Sequence, residues 1–279
     1  MGCCGTKEAP ESAQRVEKWK NTGIVGLREQ RLKSFPAVLF TLKEVRIVDA
    51  TNNRIADLPS EMAGFTQLQR LMMGENQLTK LPPFIGQLTA LKMVVLDSNQ
   101  LAALPDELCQ LKKLERLSVS NNLLEQLPSA MGNLTAMIHL DVSINRIKSI
   151  PESLGACTSM EELSLQHNEL TALPPSLADL GRLKIFNVDG NTIPELPPRF
   201  LRGCASLHTL SLHGNPITVE DLQKMDGYEE YEKRRRSKHD KQIAANVIMG
   251  KAGMDDGVDR PAAAAAAPAA KVAAKVAAK

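Results

Sequence analysis

Asparagine recurs at fixed 23-residue intervals in this chain: Asn53, Asn76, Asn99, Asn122, Asn145, Asn168 and Asn191, with Asn215 following after 24. Gln30 stands one period before Asn53 among similar neighbours, so nine units run from about residue 22 to residue 220. Around each anchor apolar residues return at minus 8, minus 5, minus 3, plus 2 and plus 5; in the third unit they are Leu68, Leu71, Met73, Leu78 and Leu81. Proline follows at plus 6 in eight units: Pro36, Pro59, Pro82, Pro105, Pro128, Pro151, Pro174 and Pro197. A unit of 23 residues cannot bury its apolar side alone, so this period requires stacked coils and rules out one irregular core. Composition agrees, because 37 leucines against 9 aromatic residues suit thin repeated layers with little room for large rings.

Each slot has a physical task. The minus 5 and minus 3 residues alternate as on a short strand and point inward, so stacking coils buries them in ladders. The asparagine amide both donates and accepts, which lets Asn53, Asn76, Asn99, Asn122, Asn145, Asn168, Asn191 and Asn215 satisfy buried backbone groups of their own and the neighbouring coil. The proline-led segments lack a strand signature and are expected on the convex side as extended backbone or short helical turns. The stack also needs covered ends. Glu11 to Lys20 reads as a closing helix with Ala13, Val16 and Trp19 in one stripe, and Val219, Leu222, Met225, Tyr228 and Tyr231 supply the other cap.

The pattern L-x-x-L-x-L-x-x-N-x-L-x-x-L-P resembles that of leucine-rich repeats over about 200 residues. The L-P-x-x-[LIM]-G-x-L linker, seen at Leu81 to Leu88 and Leu127 to Leu134, resembles the intracellular, Ras-group class. The short leader, nine repeats and the ending Asp226-Gly227-Tyr228-Glu229-Glu230-Tyr231-Glu232-Lys233 are similar to leucine-rich-repeat-containing protein 57 and its small plant relatives. The resemblance implies an α/β fold: a right-handed horseshoe solenoid of about nine repeats with parallel strands on the concave face. It also implies a cytoplasmic or membrane-associated binding module with no enzymatic reaction. The expected organisation is a leader at 1–10, a helical cap at 11–21, repeats at 22–220, a second cap with a basic helix at 221–250, and a disordered Ala/Pro/Lys tail at 251–279.

Three features outside the core carry functional expectations. Met1-Gly2-Cys3-Cys4-Gly5-Thr6 matches the myristoylation pattern at Gly2, and Cys3 or Cys4 could accept the palmitoyl chain that makes attachment to a membrane stable. Lys233, Arg234, Arg235, Arg236, Lys238 and Lys241 form a basic cluster. It suits anionic headgroups, a solvated helix face, a localisation signal or a nucleic-acid contact. On the concave columns Ile47, Met72, Met93 and Val95 form an apolar patch rimmed by Arg70 and Arg116, a composition that fits a protein interface. The later repeats present Asp141, Ser143, Ser164, Gln166, Asn187, Asp189 and His213 instead, with no evident anchor.

Other classes find little support. Net charge is +2, with 11 basic against 8 acidic residues from 226 onward and 23 against 24 before it, so bulk nucleic-acid binding is not expected. His139, His167, His208, His213 and His239 lack metal spacing, no phosphate loop is present, and Cys109, Cys157 and Cys204 occupy ordinary repeat positions. No cofactor, metal, small-molecule substrate or catalytic residue is expected, and a monomer is. The leading expectation is a lipid-anchored scaffold on the cytoplasmic face of a membrane, in small-GTPase or phosphatase signalling. The alternative is a soluble cytoskeletal or axonemal subunit whose basic helix grips an acidic filament.

Overall fold

The computed structural model describes residues 13–244 and Gly257. Nine three-residue strands form one parallel sheet in strict chain order: β1 Ile24–Gly26, β2 Ile47–Asp49, β3 Arg70–Met72, β4 Met93–Val95, β5 Arg116–Ser118, β6 His139–Asp141, β7 Glu162–Ser164, β8 Ile185–Asn187 and β9 Thr209–Ser211. Register is one-to-one throughout, so equivalent repeat positions stack in straight columns. The middle residue of each strand, such as Leu71, Val94 or Leu117, is buried, while its two neighbours face out on the concave side. A three-residue strand is marginal alone; nine in register share one aliphatic core.

Proline sets the convex side. Pro59, Pro82, Pro105, Pro151 and Pro174 hold φ between −67° and −72° at the entry to five-residue 3₁₀ turns. After Pro197 the turn becomes a short α-helix, which we label α2, Phe200–Gly203. The convex turns stack closely where glycine stands: a Cβ added to Gly132 would collide with the Ser153 carbonyl oxygen.

The asparagine ladder joins the coils. Asn99 Nδ2 donates to Leu96 O of its own coil at 2.9 Å and to Met73 O of the preceding coil at 2.9 Å, while its Oδ1 accepts from Leu78 N–H at 3.0 Å. Asn122 repeats this with Val119 O, Leu96 O and Leu101 N–H, each at 3.0 Å. Gln30 has no preceding coil to bridge.

Both ends are covered. Helix α1, Ala13–Thr22, buries Trp19 against the first coil, and Arg15 lies over the indole at 5.1 Å while donating to Gly26 O at the edge of β1. Only part of the expected stripe is used: Trp19 is buried and Val16 partly so, but Ala13 is exposed, because the helix meets the coil through its last turns. Gly23 ends α1 with φ +66° and donates to Trp19 O at 2.8 Å. At the far end α3, Val219–Gln223, opens with a Thr218/Asp221 capping box, and α4, Tyr228–Ala244, buries Tyr231 on the last coil. The ring-bearing residues fall at the two ends, Trp19 to Phe84 and Phe186 to Tyr231, and the coils between are aliphatic. One residue departs from the expectation of a disordered tail at 251–279: Gly257 is buried, and its carbonyl accepts from Leu212 N–H at 2.6 Å, just past β9.

Candidate protein-binding face

The concave face divides into two halves with different chemistry. Along the first residues of the strands the column reads Ile47, Arg70, Met93, Arg116 over β2 to β5, then His139, Glu162, Ile185, Thr209 over β6 to β9. The last residues read Asp49, Met72, Val95, Ser118, then Asp141, Ser164, Asn187, Ser211. All six expected contact residues therefore lie on four consecutive strands. Arg70 and Arg116 are exposed, and Ile47, Met72, Met93 and Val95 are half-buried. Among the described residues neither arginine side chain has an ion pair or hydrogen bond.

The second half is cross-linked to itself. His139 Nδ1 meets Glu162 Oε2 at 2.9 Å, and Asn187 Nδ2 donates to Gln166 Oε1 at 2.9 Å. Asp189 accepts from Ser211 Oγ at 2.7 Å and from His213 N–H at 2.7 Å, and Asp141 accepts from Ser143 N–H at 3.0 Å. These polar groups already have partners, so an incoming protein would have to break bonds to make its own. Residue spacings of 21 to 24 produce the cross-coil contacts, and stacking the columns by that period is the signal that would have found them.

The basic cluster divides between α4's contacts with the last coil and its exposed side. Arg234 Nε donates to Leu207 O at 2.9 Å and its Nη2 to Leu201 O at 3.2 Å, while Lys238 Nζ reaches Thr209 Oγ1 at 2.7 Å. Arg235 forms a two-point bridge with Glu232, Nε to Oε2 at 2.8 Å and Nη2 to Oε1 at 3.1 Å, both side chains largely buried. Those contacts hold the Glu232 carboxyl below its ordinary range, Arg235 first and then Arg236, whose Nε lies 2.7 Å away. Two of the six cations, Arg234 and Lys238, thus fasten α4 to the last coil, Arg235 is paired within the helix, and Lys233 and Arg236 remain exposed. Lys241 lies in α4, while Gly2, Cys3 and Cys4 fall outside the described residues.

Burial pushes the thiols of Cys109 and Cys157 up to about 11 and that of Cys204 up to about 12, which leaves little thiolate near neutrality. Among the described residues no group of three or more His, Cys, Asp or Glu could hold a metal. No helix among them is long and apolar enough to cross a membrane.

Sequence relatives agree with this geometry. Residues 84–168 match the family description "Leucine-rich repeat region", and residues 158–217 match "Leucine rich repeat". Plant intracellular Ras-group-related LRR protein 7 of Oryza sativa subsp. japonica is 64% identical over 260 residues, 93% of this chain and 99% of the rice protein. The chain belongs to the plant intracellular Ras-group-related leucine-rich repeat family. The rice relative has the same short form, since the match spans almost all of it. Among solved structures, the leucine-rich repeat ectodomain of the receptor kinase GASSHO1/SCHENGEN3 from Arabidopsis thaliana, in complex with Casparian strip integrity factor 2, is 32% identical with TM-score 0.59. That match covers 64% of this chain and 22% of the receptor chain. The functional domain of InlJ from Listeria monocytogenes shares the fold at TM-score 0.63 and 22% identity, covering 73% of this chain and 42% of that one. A family member of this architecture is a protein-interaction module, with function carried by side chains presented on a rigid solenoid.

Proposed function

We propose that this family member is an intracellular scaffold that binds a protein through the concave face of β2 to β5 and is held at a membrane by acylation of its N-terminus. The observation that carries the binding reading is the contrast across the face: the first half offers apolar side chains and two unpaired arginines, while the second pairs His139 with Glu162, Gln166 with Asn187 and Asp189 with Ser211. Caps at both ends support a monomer, because neither end leaves its terminal coil bare. The name of the rice relative supports an intracellular setting; small-GTPase or phosphatase signalling is the pathway class we propose to test first.

Acylation rests on the sequence motif at Gly2 with Cys3 and Cys4 beside it. Metabolic labelling with an alkyne myristate analogue tests it: label on the wild type and none on Gly2→Ala is expected, and equal label on both sinks the anchor. The alternative, a cytoskeletal or axonemal subunit, would need the basic helix for an acidic filament, and two of its cations, Arg234 and Lys238, are engaged with the last coil. Detergent is expected to release the protein from membranes; detergent-resistant protein that salt extracts would restore the filament reading.

A further inference from the structure

The two halves of the concave face also differ in charge along the edge where the strands begin. Arg46 and Ile47, Gln69 and Arg70, Lys92 and Met93, and Glu115 and Arg116 occupy this edge on β2 to β5, four cations against one carboxylate. Glu115 is already paired with Lys92 at 3.3 Å. Two further acids of this half are turned to scaffold donors: Asp49 accepts from Thr51 Oγ1 at 2.7 Å, and Asp97 from Ser118 Oγ at 2.6 Å and Ser120 N–H at 2.8 Å. On β6 to β9 the same edge carries Glu161 and Glu162 against Lys184 and the Lys238 ammonium that α4 lays on Thr209, with Glu161 paired to Lys184 at 2.7 Å. The cationic excess is confined to β2 to β5.

Register fixes the spacing. Arg70 pairs with Met93, and Met93 with Arg116, so the two arginines stand two strand spacings apart, about 10 Å, with the thioether between them. We propose that this edge binds an extended acidic segment of a protein partner, laid across β3 to β5, with two carboxylates about four residues apart on Arg70 and Arg116 and the apolar side chain midway between them on Met93. An extended chain advances about 3.3 Å per residue and alternates its side chains, so residues i, i+2 and i+4 share the face turned to the sheet and span about 13 Å, within reach of two long arginine side chains. Guanidinium forks grip carboxylates through paired hydrogen bonds, and methionine adapts to the shape of what it contacts. A phosphate polymer would engage the arginines and leave Met72, Met93 and Val95 uncovered, and a flat bilayer cannot enter a concave face. This assignment rests on the concave-face reading above and adds the chemistry of the partner.

A random dodecapeptide phage library panned on the full chain tests it, with parallel selections on Arg70→Glu/Arg116→Glu and on Met93→Lys/Val95→Lys, each verified as folded by circular dichroism. The wild type is expected to enrich peptides with two acidic residues about four positions apart flanking an apolar one, and both variants are expected to lose them. In titrations with a selected peptide, Arg70→Ala and Arg116→Ala should each weaken binding roughly tenfold, more at low salt than at high. Enrichment without acidic pairs, or equal binding to the charge-reversed variant, overturns the proposal. If Met93→Lys/Val95→Lys abolishes binding while charge reversal does not, the concave face stands and the acidic partner falls. If neither variant matters, both readings fall. Phosphatidylserine vesicles that bind as tightly as the peptide, with the same arginine dependence, would overturn it in favour of lipid.

Discussion

Strands β2 to β5 and β6 to β9 are built on the same coil, with the same leucine slots and the same asparagine bridge, and they differ in what happens to the outward side chains. Over β6 to β9 His139 meets Glu162, Gln166 meets Asn187, and Asp189 holds Ser211 and His213. Over β2 to β5 the columns hold Ile47, Met72, Met93 and Val95 beside arginines that bond to nothing described. A scaffold can therefore be uniform in its interior and directional on its surface. Water or a partner must supply what the first half lacks, and the second half lacks little.

The largest perturbation strikes what the halves share. Asn122 sits between them, and Asn122→Ala removes its bonds to Val119 O, Leu96 O and Leu101 N–H; the two carbonyls keep Asn145 and Asn99, and the buried Leu101 N–H is left without a partner. A loss of roughly 3 kcal/mol is expected from that orphaned donor and the two further lost hydrogen bonds. Urea unfolding reads it, and a loss under about 1 kcal/mol would deny the ladder its structural role.

Next come substitutions that separate the halves. Met93→Lys with Val95→Lys should reduce partner recovery by more than about tenfold at nearly unchanged stability, since both side chains are only half-buried. Ile185→Lys with Asn187→Lys, at the matched first and last positions of β8, should leave recovery unchanged. Equal effects from the two pairs would erase the distinction.

The smallest effect concerns the buttress beneath the second half. Glu232 is depressed below its ordinary value of 4.5, chiefly by Arg235, so the stability its bridges within α4 contribute is complete above about pH 4.5 and fades as pH falls through the folded value. Hydrogen exchange in α4 should accelerate over that acid range in the wild type and show a weaker pH dependence in Glu232→Gln. Identical profiles would remove the carboxylate from the account.

Much of this was legible in residue order. The 23-residue period places every strand, every asparagine bridge and the convex turns, because each follows from a slot refilled in each coil. The two caps are legible as apolar stripes, although Ala13 stands exposed where the stripe predicts contact. The fate of the basic cluster was not, since Arg234 and Lys238 find partners 27 to 33 residues away that no local pattern marks. Gly257 was equally hidden, as it meets Leu212 across 45 residues of chain. The apolar patch was visible in the columns, but its contrast with the second half emerged only when hydrogen bonds between coils could be followed.

The central claim is that partners engage β2 to β5, and photo-crosslinking inside cells tests it most directly. A benzophenone amino acid placed at Met93, at Ser164 on the opposite half, and at the exposed convex residue Glu152 samples three surfaces of one folded protein. The account predicts a discrete protein adduct from position 93 alone. An adduct from position 164 or 152 with none from 93 would contradict it.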